Sequence, residues 1–300
     1  MKKVEIIGAA IVDVLVSPAN DAVFRTGSAP CERIVMTYGG DALNEATVLK
    51  GLGAPVQLVT VLGKDDAGEA VRRRMERVGL DLNGVLMRED LSTSVNVVLV
   101  KENGERSFLT CPTASQRRIR LEDIPMPFPE DVKILCLASI FVFPELKTPE
   151  LTAIFKQAKA QGITVCADMT KRKKGETVAD MAPALRYVDY LFPNEEEAML
   201  LTGAQSAEEA ARMLSEAGVG TVVVKCGSRG CFIKRGELEF AVPAMEGVTC
   251  VDTTGAGDSF VGGFLYGLAN DLPLAECACQ ANLCGARAVE KVGATTWVLE

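Results

Sequence analysis

Short runs of β-branched and apolar residues alternate along this chain with longer stretches in which apolar positions return every three or four residues. Val4 to Ile7 precedes a helical pattern from Asp41 to Leu52, then a strand pattern from Val56 to Leu62 and a helix from Ala67 to Val78. The alternation resumes with Ile134 to Leu137, Pro149 to Gln161 and Ile163 to Cys166, and continues through Tyr190 to Phe192, a helix from about Glu195, another from Ala207 to Glu216, and the strand Thr221 to Cys226. Two long helical patterns close the chain, near Ala256 to Leu268 and Leu274 to Lys291. Buried strands separated by helices predict an α/β fold, a mostly parallel central sheet between two helical layers.

Two segments break the alternation. Val14 to Met36 lacks a helical period, and Thr93 to Thr110 reads as two strands about a turn at Glu102, Asn103 and Gly104, with Ser94, Asn96 and Val98 on one face. These pieces, about 14–36 and 93–110, are expected to pair into a small β-sheet lid on a single domain spanning 1–300. Alternation in the second segment sets Val97, Leu99 and Phe108 against Asn96, Val98 and Ser107. One face would then cover a substrate, and the apolar other face predicts a homodimer formed through the lids.

Composition narrows the function. A formal charge of −8 and a pI near 5.0 disfavour nucleic acid, whose phosphates call for a surplus of Lys and Arg. Glu5 and Asp13 interrupt the apolar start after Lys2 and Lys3, so it reads as a buried strand rather than a secretory signal, and the run Ile134 to Phe143 is too short to cross a bilayer. The ten cysteines are scattered and often lie in apolar segments (Cys136, Cys166, Cys226), which suits small buried residues in a reducing cytoplasm better than a zinc site. Histidine is absent altogether. Any general base must therefore be a carboxylate or another group, and a Ser-His-Asp or Cys-His apparatus is excluded.

The strongest chemical signal is Asp252-Thr253-Thr254-Gly255-Ala256-Gly257-Asp258, which follows a β-like stretch and opens a long helix. Glycines there allow a ligand to approach the backbone, and the first-turn N–H groups with the helix dipole form an anion hole. Asp258 sits within it, able to take a proton from an attacking hydroxyl while the dipoles hold a transferring phosphoryl group. The same residues also suit a plain capped helix, with Thr254 as N-cap and Asp258 as a first-turn charge. No Gly-Lys-Ser/Thr follows, and the position is far from the first βαβ unit, so neither a P-loop nor a dinucleotide fingerprint is present.

This stretch resembles the C-terminal signature of the ribokinase-like (PfkB) carbohydrate kinases. Gly39-Gly40-Asp41-Ala42-Leu43-Asn44 is similar to their Gly-Gly-x-x-x-Asn signature, and Asn194-Glu195-Glu196-Glu197 to their Asn-x-x-Glu element. All three lie in the family's order over nearly the whole chain. The resemblance implies a three-layer α/β/α sandwich with a small β lid, and an ATP-dependent transfer of the γ-phosphoryl group to a hydroxyl, expected to be primary, of a small sugar.

Carried over by position, it implies Asp258 as catalytic base, with Gly255, Ala256 and Gly257 as the anion hole. Asp13, Gly39, Gly40 and Asn44 would hold substrate hydroxyls. Asn194, Lys225 and Gly227 would lie along the nucleotide, with Asn282 against adenine, and Glu197 would organise Mg²⁺ through water. Asp252 and Thr254 match part of a monovalent-cation site completed near Ala288 to Gly293, with K⁺ as the ion that would order the anion hole.

Two other readings stand beside the sugar kinase. A nucleoside kinase would need an aromatic-lined pocket, with Phe24, Tyr38, Phe108, Phe141 and Phe143 available, and a non-catalytic ligand-binding protein would keep the fold without turnover. Arg25, Arg33, Lys101 and Arg106 lie in the lid segments as partners for an anionic substrate, which Asp41 in the Gly-Gly signature disfavours.

Overall fold

The computed structural model describes residues 1–103 and 105–299, so Gly104 of the expected turn lies outside the described residues. Its larger sheet has nine strands in the order Leu238–Val242, Cys231–Arg235, Thr221–Lys225, Tyr190–Phe192, Thr164–Met169, Val132–Ile140, Lys3–Ile7, Val56–Gly63 and Val85–Arg88. The pairings are parallel except for those made by the hairpin Cys231–Arg235 and Leu238–Val242.

Alternation along each strand feeds two apolar cores, one on each face of the sheet. Ile7, Val59 and Leu135 pack with the helices Thr148–Ala160, Val178–Leu185, Glu195–Thr202 and Ala207–Glu216. Ile6, Leu58 and Ile134 pack on the other face with Asp41–Gly51, Asp66–Val78, Ala256–Ala269 and Leu274–Val289. Consecutive residues of one strand thus serve opposite layers, and each such Ile or Leu contributes about 1.5–3 kcal/mol by burial. No helix among the described residues is long and apolar enough to cross a membrane.

A second sheet of four strands, in the order Arg33–Gly39, Ile11–Ser17, Val95–Val100 and Arg106–Leu109, stands apart from the first. Its strands extend beyond the expected segments at Ile11 and at Gly39, and a single helical turn, Val23–Thr26, lies between the first two. The register corrects one expectation. Val98 pairs with Phe108 and Leu99 with Ser107, so Phe108 shares a face with Asn96 and Val98, while Ser107 lies with Leu99. Asp13 pairs with both Thr37 and Asn96, which puts it on the same face as Phe108.

Candidate active site

The carboxyl ends of the parallel strands, where open α/β sheets bind ligands, gather Ser139, Asp168 and Lys225 beside the first turns of the helices Asp41–Gly51, Glu195–Thr202 and Ala256–Ala269. The turn into the first of these helices depends on Gly40, whose φ is +96° and whose Cβ, if it had one, would lie 2.5 Å from the Ala9 carbonyl oxygen.

At the third helix the N-cap is Gly255 rather than Thr254, in the left-handed region at φ +72°. A Cβ there would meet Ala294 at 2.5 Å. The Ala256 N–H bends back to the Thr253 carbonyl at 3.3 Å, so this member of the expected anion hole is partly engaged. Like that of Gly255, the N–H groups of Gly257 and Asp258 have no acceptor among the described residues. They are the open donors at this helix end.

Asn44 Nδ2 donates to Asp258 Oδ2 at 2.7 Å. Burial pushes the Asp258 carboxyl well above the usual aspartate range, the Asp41 carboxylate pushes it further, and the Asn44 bond opposes both. Asp41 accepts from the Ser139 hydroxyl, and burial followed by the nearby Asp168 raises its carboxyl to about 6. Beneath them Glu45 is fully buried, one oxygen accepting from Cys136 Sγ at 3.5 Å and the other without a hydrogen-bond partner among the described residues. Its carboxyl is raised well above normal, chiefly by that burial.

Lys225 supplies the local positive charge. Its Nζ donates to Asp168 Oδ1 at 2.7 Å and lies 3.7 Å from where a Cβ on Gly257 would be, beside the open N–H groups. Burial works against the Lys225 charge, but Asp168 and Glu197 outweigh it and raise its pKa.

Asn194 and Glu197 form a reciprocal capping box: Asn194 N–H donates to Glu197 Oε2, and Glu197 N–H to Asn194 Oδ1, both at 2.8 Å. Glu197 still lines the cleft, and burial raises its carboxyl to about 7. Glu195 and Glu196 turn away to pair with Arg229 and Lys171.

Two cavities meet here. One of about 370 Å³ is lined by Asp41, Asp168, Asn194, Glu197 and Asp258, and the other, of about 530 Å³, by mostly apolar residues including Ala244, Met245, Val248, Ala286 and Val289. Lys225, Gly227 and Gly257 border both. Asn282 lines the larger cavity, with its amide donating to the Val242 and Pro243 carbonyls at 3.2 and 3.0 Å. Among the described residues no three ligand side chains converge tightly enough to bind a metal ion directly.

Asp13, Gly39, Gly40 and Asn44 line neither cavity. Asn44 reaches the cleft through Asp258, while Asp13 is held on the small sheet by Asn96 Nδ2 at 3.3 Å and its carboxyl is raised by burial. Of the lid cations, Arg25 pairs with Asp21 and Lys101 with Glu105. Arg106 instead reaches Asp252, at 2.6 Å, and the Thr254 hydroxyl. The sequence reading did not single out Asp168, Glu45 or Ser139. The only local sign for Asp168 is a carboxylate ending an apolar strand.

Comparison with known proteins gives this geometry a context. The family model described as "pfkB family carbohydrate kinase" matches residues 1–300. Aminoimidazole riboside kinase of Salmonella typhimurium is 30% identical, over 99% of this chain and 92% of its own. Cytidine kinase of Thermococcus kodakarensis is 30% identical, over 83% of this chain and 86% of its own. The crystal structure of aminoimidazole riboside kinase from Salmonella enterica, complexed with aminoimidazole riboside and an ATP analogue, superposes with a TM-score of 0.81 at 25% identity, over 99% of this chain and 96% of that one.

Proposed function

We propose, from the premise that the chain belongs to the pfkB family of carbohydrate kinases, that this ATP-dependent kinase phosphorylates a hydroxyl of a small sugar, with Asp258 as general base. The observation that carries the reading is Asp258 itself, bonded to Asn44 at 2.7 Å and placed beside the open Gly257 and Asp258 N–H groups. A carboxyl whose pKa is raised by burial and by the Asp41 charge is a better proton acceptor than an ordinary aspartate.

In this reading the larger, mostly apolar cavity takes the adenine and the Lys225, Gly227 and Gly257 border takes the phosphates. Lys225 and the two N–H groups would stabilise charge developing on the transferring group while Asp258 accepts the acceptor's proton. Four carboxyls, Asp41, Asp168, Glu197 and Asp258, line the cleft with Lys225, and a divalent cation bound among them would favour their ionised forms. Glu197, acting through water, would hold Mg²⁺, which supplies neutralisation of phosphate charge when bound.

Asp13 would take two hydroxyls of the acceptor from the small sheet, with Gly39 and Gly40 giving close backbone approach. A nucleoside acceptor is the second reading. Phe108 favours it, being 58% exposed on the Asp13 face, where a base could stack.

The opposite face of the small sheet supports a homodimer. Ile34, Met36, Val95 and Leu109 are exposed there beside the half-buried Val14, Val97 and Leu99, and such a face gains by pairing with its copy. Five buried free cysteines fit a reducing cytoplasm. An ADP-release screen over sugars and nucleosides tests the function: turnover with a sugar supports the first reading, preference for a nucleoside the second, and no turnover with any acceptor contradicts both. Light scattering tests the assembly, since a mass near 32.0 kDa would exclude the dimer.

A further inference from the structure

The Asp252 carboxylate accepts four donors. Oδ1 takes Arg106 Nη2 at 2.6 Å, the Thr254 N–H at 2.9 Å and the Thr254 hydroxyl at 2.6 Å, and Oδ2 takes the Gly293 N–H at 3.0 Å. Three of these four converge on Oδ1, more than its two lone pairs, so the oxygen that faces Arg106 has no room for a further ligand. The Thr254 hydroxyl is engaged as well, by Arg106 Nη1. The donors present thus do not fit a monovalent cation on Asp252 and Thr254, because a guanidinium already carries the positive charge there. Arg106 comes from the small sheet, at the end of the pairing Val100 to Arg106, and the turn it grips runs directly into the Gly255 N-cap. Asp252 is nearly enclosed, its side chain 8% exposed, so without a counterion its charge would be costly.

We propose that Arg106 is a positioning residue that takes the place of a monovalent cation: its guanidinium neutralises Asp252, fixes the turn that presents the Gly257 and Asp258 N–H groups, and ties the small sheet to that turn. Phosphoryl transfer by this protein is then independent of K⁺. Removing the guanidinium leaves an enclosed carboxylate beside the Thr254 hydroxyl, and that negative hollow recruits a cation from solvent. The inference rests on the kinase reading for its rate effect, but not for its binding effect.

The test compares wild type, Arg106→Met and Arg106→Lys in K⁺, Na⁺ and choline chloride at equal ionic strength, reading kcat, KM for ATP and Tm. The wild-type kcat should vary less than about twofold across the three salts. Arg106→Met should lose roughly tenfold or more in choline, the order of one charge-assisted hydrogen bond, and regain much of it in K⁺. Arg106→Lys keeps the charge without the fork and should fall between the two.

Independently of turnover, K⁺ should raise the Tm of Arg106→Met by about 2–4 °C over choline and leave wild type unmoved. A wild-type rate or Tm that rises strongly with K⁺ would overturn the proposal, as would an Arg106→Met variant with wild-type kcat in choline. Were no acceptor turned over at all, the kinase reading would fail while the Tm comparison still decided the role of Arg106.

Discussion

Asn44 Nδ2 lies 2.7 Å from Asp258 Oδ2, a bond between the first turns of two helices whose residues stand 214 positions apart in the chain. It fixes the orientation of the carboxylate and counters the burial that raises its pKa. Asn44→Ala should therefore lower kcat by roughly tenfold, the order of a hydrogen bond to a charged group. It should also move the acid limb of the pH profile of kcat/KM upward. An unchanged limb would mean that Asn44 does not tune Asp258.

Asp41 acts on the same carboxyl in the opposite sense, because its negative charge disfavours a second one nearby. Asp41→Asn should let Asp258 ionise at lower pH, so the acid limb of kcat/KM should move down. A limb that stayed in place or moved up would contradict this coupling.

Asp13 lies on the small sheet, with its carboxylate held by Asn96. Asp13→Ala should raise KM for the acceptor by about 10- to 100-fold, the equivalent of one or two charge-assisted hydrogen bonds, and leave KM for ATP within about twofold. An unchanged acceptor KM would remove Asp13 from the site.

Glu5 concerns stability rather than chemistry. It is fully buried in the strand Lys3–Ile7, neither carboxylate oxygen has a hydrogen-bond partner among the described residues, and burial pushes its carboxyl up to about 7 from an ordinary 4.5. The folded state therefore holds this proton more tightly than the unfolded state does. The penalty is absent below about pH 4.5, grows as pH rises, and is complete above about pH 7, where it reaches roughly 3 kcal/mol. Glu5→Gln should flatten the decline of Tm between about pH 5 and 8, and an equally steep decline in the variant would count against this account.

The fold was legible because a buried parallel sheet leaves a strong periodic trace: Ile6 and Ile7 serve opposite cores, so both must be apolar. The turn at Gly255 was legible because its left-handed backbone, at φ +72°, favours glycine. Register was harder to read. The offset that sets Phe108 opposite Val98 depends on the turn between the two strands, and alternation within each strand says nothing about it. Asp168 and Glu45 carry no local motif, and what makes them unusual is the set of carboxylates that folding brings around them. Arg106 and Asp252 are 146 residues apart, so their pairing exists only in three dimensions.

The central claim is that Asp258 takes the acceptor's proton. Asp258→Asn preserves the shape of the side chain and removes its basicity, so kcat should fall by about 10²–10⁴-fold, the usual contribution of a general base. The fold and the affinity for an ATP analogue should stay close to wild type, because the substitution keeps the Asp258 backbone N–H and changes none of the side chains proposed to hold adenine and phosphate. A purified Asp258→Asn protein that binds the analogue normally and turns over with near wild-type kcat would contradict the account.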